Sequence, residues 1–249
     1  MKVEHYCIAC RNAPNERRLI TEFMGSAPSK SGSVTVCVGG DGTLLQAERE
    51  KPGKPKLFIR DSRTCQGCAF NCKTFKKPRA CIRAWGRKAV YCKGSLAACL
   101  AGLKKGFRVH EEKKLEARAG GKRLTALNEV NVHWGNPPQA LRFDLEVNGR
   151  KIVKEAVGDG VVIATPYGST GYYRAVTRSR LKKGMGVAFK NTQKKLRPLH
   201  LRDNAVIKLT VRRNEAVAWA DNNPELLRLR EGDSITVRKS KRKARMVVL

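Results

Sequence analysis

Val34-Thr35-Val36-Cys37-Val38-Gly39-Gly40-Asp41-Gly42-Thr43-Leu44-Leu45 decides the fold of this chain. Its first five residues are β-prone and mostly apolar, the composition of a strand buried in a parallel sheet. Glycines around Asp41 then break the strand, and Leu44 to Glu50 is rich in helix formers. Strand, glycine turn and helix in immediate succession predict α/β structure. Neighbouring segments extend it. Leu19, Ile20, Phe23 and Met24 fall on one face of a helix predicted over residues 16–24. Residues 26–33 read as a loop from their Ser, Pro and Gly content. Leu57-Phe58-Ile59 offers a second strand. Leu96, Cys99, Leu100 and Leu103 recur at helical spacing, closed by Lys104-Lys105 and Gly106. Residues 1–107 are therefore expected to form an α/β domain.

Beyond residue 107 the period changes. Leu141, Phe143, Leu145 and Val147 alternate with Arg142, Asp144 and Glu146, the pattern of a half-buried strand. Asn148-Gly149 is a two-residue hairpin turn, and Arg150 to Val157 is the expected return strand. Val161–Ala164 reads as a buried strand, and Ile207, Leu209, Val211, Ile235 and Val237 alternate again. Residues 108–249 are expected to form a β-rich domain.

Composition bounds the function. The 249 residues carry 52 Lys and Arg against 21 Asp and Glu, a formal charge of +31. With 41% hydrophobic residues the chain is too apolar for a disordered polycation and long enough to bury a core without disulfides. No run approaches the ~18 apolar residues of a membrane span, and the N-terminus lacks the apolar stretch of a signal peptide. A cytoplasmic protein with anionic partners, and no membrane, is expected.

Three segments carry chemistry. Gly39-Gly40-Asp41-Gly42-Thr43 can receive a phosphate, because bare glycine backbone approaches an anion closely and a helix N-terminus offers N–H donors. Asp41 would repel that anion, so it suits a general base or a group holding a hydroxyl or a phosphate-bound metal. The same residues also suit a tight turn with Asp41 as helix cap. Asp159-Gly160 leads through a strand into Thr165-Pro166-Tyr167-Gly168-Ser169-Thr170-Gly171-Tyr172, where hydroxyls and amides converge at a strand end; an ordinary loop has similar composition. Asn128-Glu129 could fork onto ribose hydroxyls or a base edge, or be a solvated pair.

Taken together, in this order and spacing, these segments resemble the NAD kinase family, over roughly Ser33 to the C-terminus. The resemblance implies a Rossmann-like, phosphofructokinase-like α/β domain and a β-rich domain for NAD binding and oligomerisation. It implies transfer of the γ-phosphoryl group of ATP, or a phosphoryl group of polyphosphate, to the 2′-hydroxyl of the adenosine ribose of NAD, giving NADP. Asp41 would be the general base. Gly39, Gly40, Gly42 and Thr43 would lie against phosphates, and Asn128 and Glu129 would hold NAD hydroxyls. Asp159 would meet a nicotinamide or ribose group. Thr165, Gly168, Ser169, Thr170, Gly171, Tyr172, Tyr173, Arg174 and Ala175 would line the dinucleotide site, and Asn223 stands where the family has a polar ligand residue. Mg²⁺ would travel with ATP, and the chain would form a homodimer or homotetramer. Val157-Gly158 stands where the family commonly has a basic residue before Asp-Gly, and the family's Ala after Ser-Thr is Gly171.

Other readings concern the same residues. A lipid kinase of the diacylglycerol or sphingosine type also carries Gly-Gly-Asp-Gly-Thr, but would not be expected to combine the Thr165–Tyr172 loop with Asn128-Glu129. A catalytically retired relative could bind nucleotide or nucleic acid through basic runs such as Arg238-Lys239-Ser240-Lys241-Arg242-Lys243. All nine cysteines lie between Cys7 and Cys99. Cys65, Cys68, Cys72 and Cys81 suit a metal or iron–sulfur set, a disulfide pair or small apolar packing, and Cys7 and Cys10 could join any of these. The four histidines show no ligand spacing.

Overall fold

The computed structural model describes residues 5–10, 14–61, 65, 75–84, 86–136 and 138–249. It divides into two compact units, Met1–Glu112 with Ala244–Leu249, and Lys113–Lys243.

The first unit is α/β. Its elements are β1 (Tyr6–Cys10), α1 (Pro14–Met24), β2 (Val34–Gly39), α2 (Asp41–Glu50), β3 (Lys56–Arg60), β4 (Val90–Cys92) and α3 (Leu96–Lys105). β1, β2 and β3 run parallel in that order, and β4 joins β3 in parallel. β2 is flanked on both sides and buried from Val34 to Val38, which is why its apolar character is nearly unbroken. Tyr6, Ile20, Val36, Leu57, Ile59, Leu100 and Leu103 form the core, with Val247 returning from the C-terminus to join them. Met246 pairs with Lys56, so the last six residues belong to this unit. The predicted face of α1 is narrower than its periodicity implies. Ile20 is buried, whereas Leu19 and Phe23 are exposed. Lys56 makes a buried ion pair with Glu48 and donates to the carbonyl of Lys51 at 2.6 Å, tying the end of α2 to β3.

The second unit is a pair of sheets. Its strands are β5 (Arg108–Ala119), β6 (Lys122–Ala126), β7 (Glu129–Trp134), β8 (Leu141–Val147), β9 (Arg150–Gly158), β10 (Gly160–Ala164), β11 (Met185–Lys190), β12 (Leu199–Leu201), β13 (Val206–Arg213), β14 (Ala216–Ala220), β15 (Leu227–Leu229) and β16 (Ser234–Val248). One sheet runs β16-β13-β8-β9, with β5 beside β16 and β6 beside β5; the other runs β12-β11-β10-β7-β14-β15. Alternate residues of each meet in a common core, Phe143, Leu145, Leu209 and Ile235 from the first and Val130, Val132, Val161 and Ile163 from the second. Each such fully buried side chain contributes about 1.5–3 kcal/mol. Asn148 and Gly149 turn the β8–β9 hairpin with φ of 52° and 78°, as the sequence predicts. The outer face of β10 and β11 is covered by a short helix, α4 (Tyr172–Thr177), through Val162, Ala164, Tyr173, Leu181 and Ala188.

Candidate functional site

In the first unit, β2 ends at Gly39 and α2 begins at Asp41. Gly39 has φ +153°, and a Cβ there would strike the hydroxyl of Thr43, so the turn admits glycine alone. Gly40 caps the helix with its backbone and supplies no side chain to the helix's N–H groups. Gly40 itself thus adds no side-chain cap at the positive end of α2, a suitable place for a phosphate. Asp41 sits on the first turn, about one-third exposed. Its Oδ1 accepts from Arg60 at 3.0 Å and from Arg87 at 2.8 Å, and both guanidiniums are well buried. Oδ2 accepts from none of the described residues. The arrangement is a fixed carboxylate with one oxygen committed and one available.

In the second unit, the turn before β7 is built on a carboxylate. Asp221, just past the end of β14, accepts from the N–H of Leu127 at 2.7 Å, of Asn128 at 2.8 Å and of Glu129 at 3.0 Å. Desolvation raises its pKa to about 6, against the pull of those three N–H groups. The other side of this turn is closed by the strand end at Thr165. The Thr165 N–H donates to the Asn128 carbonyl at 2.8 Å, its hydroxyl donates to the Leu127 carbonyl at 2.7 Å, and the Gly168 N–H donates back to that hydroxyl at 3.0 Å. A Cβ on Gly168 would collide with the backbone of Asn128. Asn128 is buried, and its Oδ1 has no partner among the described residues. An idealised Cβ on Gly171 would lie 4.0 Å from Oε2 of Glu129. Asn128, Glu129, Thr165, Gly168 and Gly171 therefore form one cluster, with Ser169 holding its loop through bonds to the Pro166 carbonyl and the Leu181 N–H.

The other expected residues divide. Tyr172 is exposed, and Lys190 Nζ lies 5.6 Å from the centre of its ring and 5.7 Å from that of Trp219. Burial lowers the Lys190 pKa to about 7, with Asp159 opposing, and Nζ makes no hydrogen bond among the described residues. Tyr173 is fully buried under α4, against Gly186 and Leu181. Ala175 is exposed, and Arg174 and Thr170 are partly so. Asp159 stands at the opposite end of β10 from Thr165, about 20 Å along the strand, where its carboxylate accepts from Asn191 at 2.6 Å. Asn223 spends its Oδ1 on the Glu225 N–H at 3.1 Å, closing the turn after Asp221. The Gly39–Thr43 set belongs to the first unit and all these residues to the second.

Comparison with known proteins matches residues 127–249 to the ATP-NAD kinase C-terminal domain. Over those residues, just under half its length, the chain is similar to the NAD kinase family. An NAD kinase of Sulfurisphaera tokodaii is 28% identical over 161 residues, 64% of this chain and 55% of that one. An NAD kinase of Saccharolobus solfataricus is 30% identical over 151 residues, 60% and 50% of the two chains. The chain thus spans about half the length of the curated relatives it matches. Two solved structures share the fold. A yeast NADH kinase complexed with NADH superposes with a TM-score of 0.77 at 15% identity, covering 100% of this chain and 84% of that one. An NAD kinase from Archaeoglobus fulgidus in complex with ATP gives 0.74 at 17%, covering 97% and 92%.

Within this chain, sequence reading missed Arg60, Arg87, Asp221 and Lys190. Each acts across a chain separation that no local spacing reveals, 19 and 46 residues for the two arginines and about 93 for Asp221. Of the cysteine set, Cys68 and Cys72 lie outside the described residues, as does the side chain of Cys10. Cys7 and Cys81 are free thiols. Cys7 is buried, donates to the Ser29 carbonyl at 2.9 Å and accepts from Lys51, an anchor for the loop before β2. Among the described residues no three His, Cys, Asp or Glu side chains gather as a metal site, and no helix is long and apolar enough to cross a membrane.

Proposed function

We propose that this chain is an NAD kinase, making NADP by moving the γ-phosphoryl group of ATP to the 2′-hydroxyl of the adenosine ribose of NAD. The observation that carries the reading is Asp41, a carboxylate on the first turn of α2, fixed through Oδ1 by Arg60 and Arg87 with Oδ2 uncommitted. In this reading Oδ2 takes the 2′-hydroxyl proton as that oxygen bonds to the γ-phosphorus, and the bond to the β-bridging oxygen breaks to release ADP. Arg60 and Arg87 orient the base and offset the negative charge gathered beside it. Gly40, Gly42 and Thr43 place backbone and hydroxyl against phosphates. Asn128 and Glu129 receive the adenosine; the buried, unsatisfied Oδ1 of Asn128 calls for a donor, which a ribose hydroxyl or an exocyclic amine provides. Thr165, Gly168, Ser169, Thr170 and Gly171 support that turn, Tyr172 and Trp219 offer ring faces, and Asp159 and Lys190 add polar groups at the far end of β10.

Mg²⁺ would supply charge neutralisation on the phosphates. With no cage of carboxylates among the described residues, it is assigned to the triphosphate, the usual habit of this ion. Polyphosphate as donor and association as a homodimer or homotetramer belong to the same proposal. The test is mass spectrometry after incubating the protein with MgATP and NAD. An NADP peak is expected; NADP at no more than the enzyme-free level, with ATP and with polyphosphate, overturns the proposal.

A further inference from the structure

Nucleotide binding leaves most of the +31 charge without a purpose, and that surplus is not spread evenly in its surroundings. Between Asp159 and Asp203 the chain carries ten Lys and Arg and no acidic residue. This stretch builds α4, β11 and β12, and β12 is the edge strand of its sheet. Arg178, Lys182, Lys183, Lys194, Lys195 and Arg197 are all exposed, and among the described residues none enters an ion pair. The other sheet of the same unit carries acidic partners for several of its cations. There Asp144 takes Lys151 and Arg212, and Glu116 takes Arg118, Arg123 and Arg238.

The register sets the spacing of the strip. β11 and β12 are antiparallel, with Met185 opposite Leu201 and Val187 opposite Leu199. Lys182 and Lys183 enter at the Met185 end of β11, and Lys194, Lys195 and Arg197 occupy the loop that leaves its Lys190 end. Six residues of strand hold the two groups about 20 Å apart, the length of about six phosphates along one strand of a duplex. Tyr172 is the one large hydrophobic side chain exposed between Asp159 and Asp203, too little to enter a bilayer interior. Of the Tyr and Phe rings in this stretch, Tyr167, Tyr173 and Phe189 are buried and Tyr172, at the start of α4, is exposed, so bases find at most one ring to stack on.

We propose that the α4–β12 edge is a nucleic-acid docking strip that grips the phosphodiester backbone without reading sequence. It is a second function of the chain, independent of phosphoryl transfer.

Fluorescence anisotropy of the full chain with a labelled single-stranded RNA of about 30 nucleotides tests it. Six contacts at about −0.7 each predict a log–log salt slope near −4. The variant K182Q/K183Q/K194Q/K195Q/R197Q should bind at least about tenfold more weakly and lose about 3.5 from that slope. A second variant, K122Q/R150Q/K154Q/K208Q/R213Q, removes equal charge from the other sheet and should bind within about threefold of the parent. Far-UV circular dichroism checks that both fold; K194Q/K195Q/R197Q, confined to a loop, replaces the first variant if it does not. Saturating MgATP with NAD should leave RNA binding in place. Equal losses in the two charge-matched variants, displacement of RNA by the small nucleotides, no RNA binding by the parent at low salt, or binding confined to anionic vesicles each overturns the proposal.

Discussion

Asp41 and Asp221 do different work with the same side chain. Asp41 is held by guanidiniums with one oxygen uncommitted, whereas Asp221 spends both oxygens on the backbone of a turn. In Asp221→Asn one of those oxygens becomes an NH₂ that faces an N–H donor. The change should cost about 2 kcal/mol of stability and raise the KM for NAD about tenfold, with kcat less affected. Thermal melts and steady-state kinetics check this, and an unchanged KM would place Asn128 and Glu129 outside the NAD site. Lys190 gives a pH signature. Its folded pKa of about 7 lies below the unfolded value near 10.5, so the unfolded chain binds more protons between those limits and stability rises with pH across them. Lys190→Met should flatten that rise in urea titrations from about pH 7 to about pH 10. The place of Asp41 at a strand-to-helix turn was legible because Gly-Gly-Asp-Gly-Thr is contiguous. Asp221 and Lys190 were not, since what they hold or face is set by pairing of β7, β10, β11 and β14.

Among the elements, the β8–β9 hairpin shows how far periodicity reaches. Leu141, Phe143 and Leu145 are buried as the alternation predicts, and Asn148-Gly149 turns as expected. Asp144, on the side predicted to be polar and open, is nevertheless buried. A bulge at Glu155, with φ 47°, brings its N–H to Asp144 at 2.7 Å, and Lys151 and Arg212 complete the shell. Burial pushes the Asp144 pKa up, but Lys151, the Glu155 N–H and Arg212 outweigh it and hold the group at about 2. Its contribution, about 2 kcal/mol, is fully present above about pH 4 and is lost as pH falls towards 2. Asp144→Asn should therefore melt several degrees lower at neutral pH and match the parent near pH 2; an equal deficit at both would refute the charge argument. No sequence pattern announces a bulge. The breadth of the buried face of α1 was also misjudged from period alone, because which side of Leu19 and Phe23 is covered depends on tertiary packing.

For the whole molecule, two units of different class were readable from the change of period near residue 107, but the return of Ala244–Leu249 to the first unit was not. That return depends on Met246 pairing with Lys56 and Val247 joining the core, contacts nearly two hundred residues apart. A charge of +31 also predicts self-repulsion in the folded state. Raising NaCl from about 20 mM to about 300 mM should raise the melting temperature, a trend that scanning fluorimetry reads directly. The central claim is that one carboxylate, Asp41, activates a ribose hydroxyl of NAD. It is tested most directly by timing NADP formation from MgATP and NAD by the parent and by Asp41→Asn side by side. The account predicts steady NADP formation by the parent and a loss of at least about a thousandfold in the variant, with an unaltered far-UV circular dichroism spectrum. Turnover by Asp41→Asn within a few-fold of the parent would contradict it.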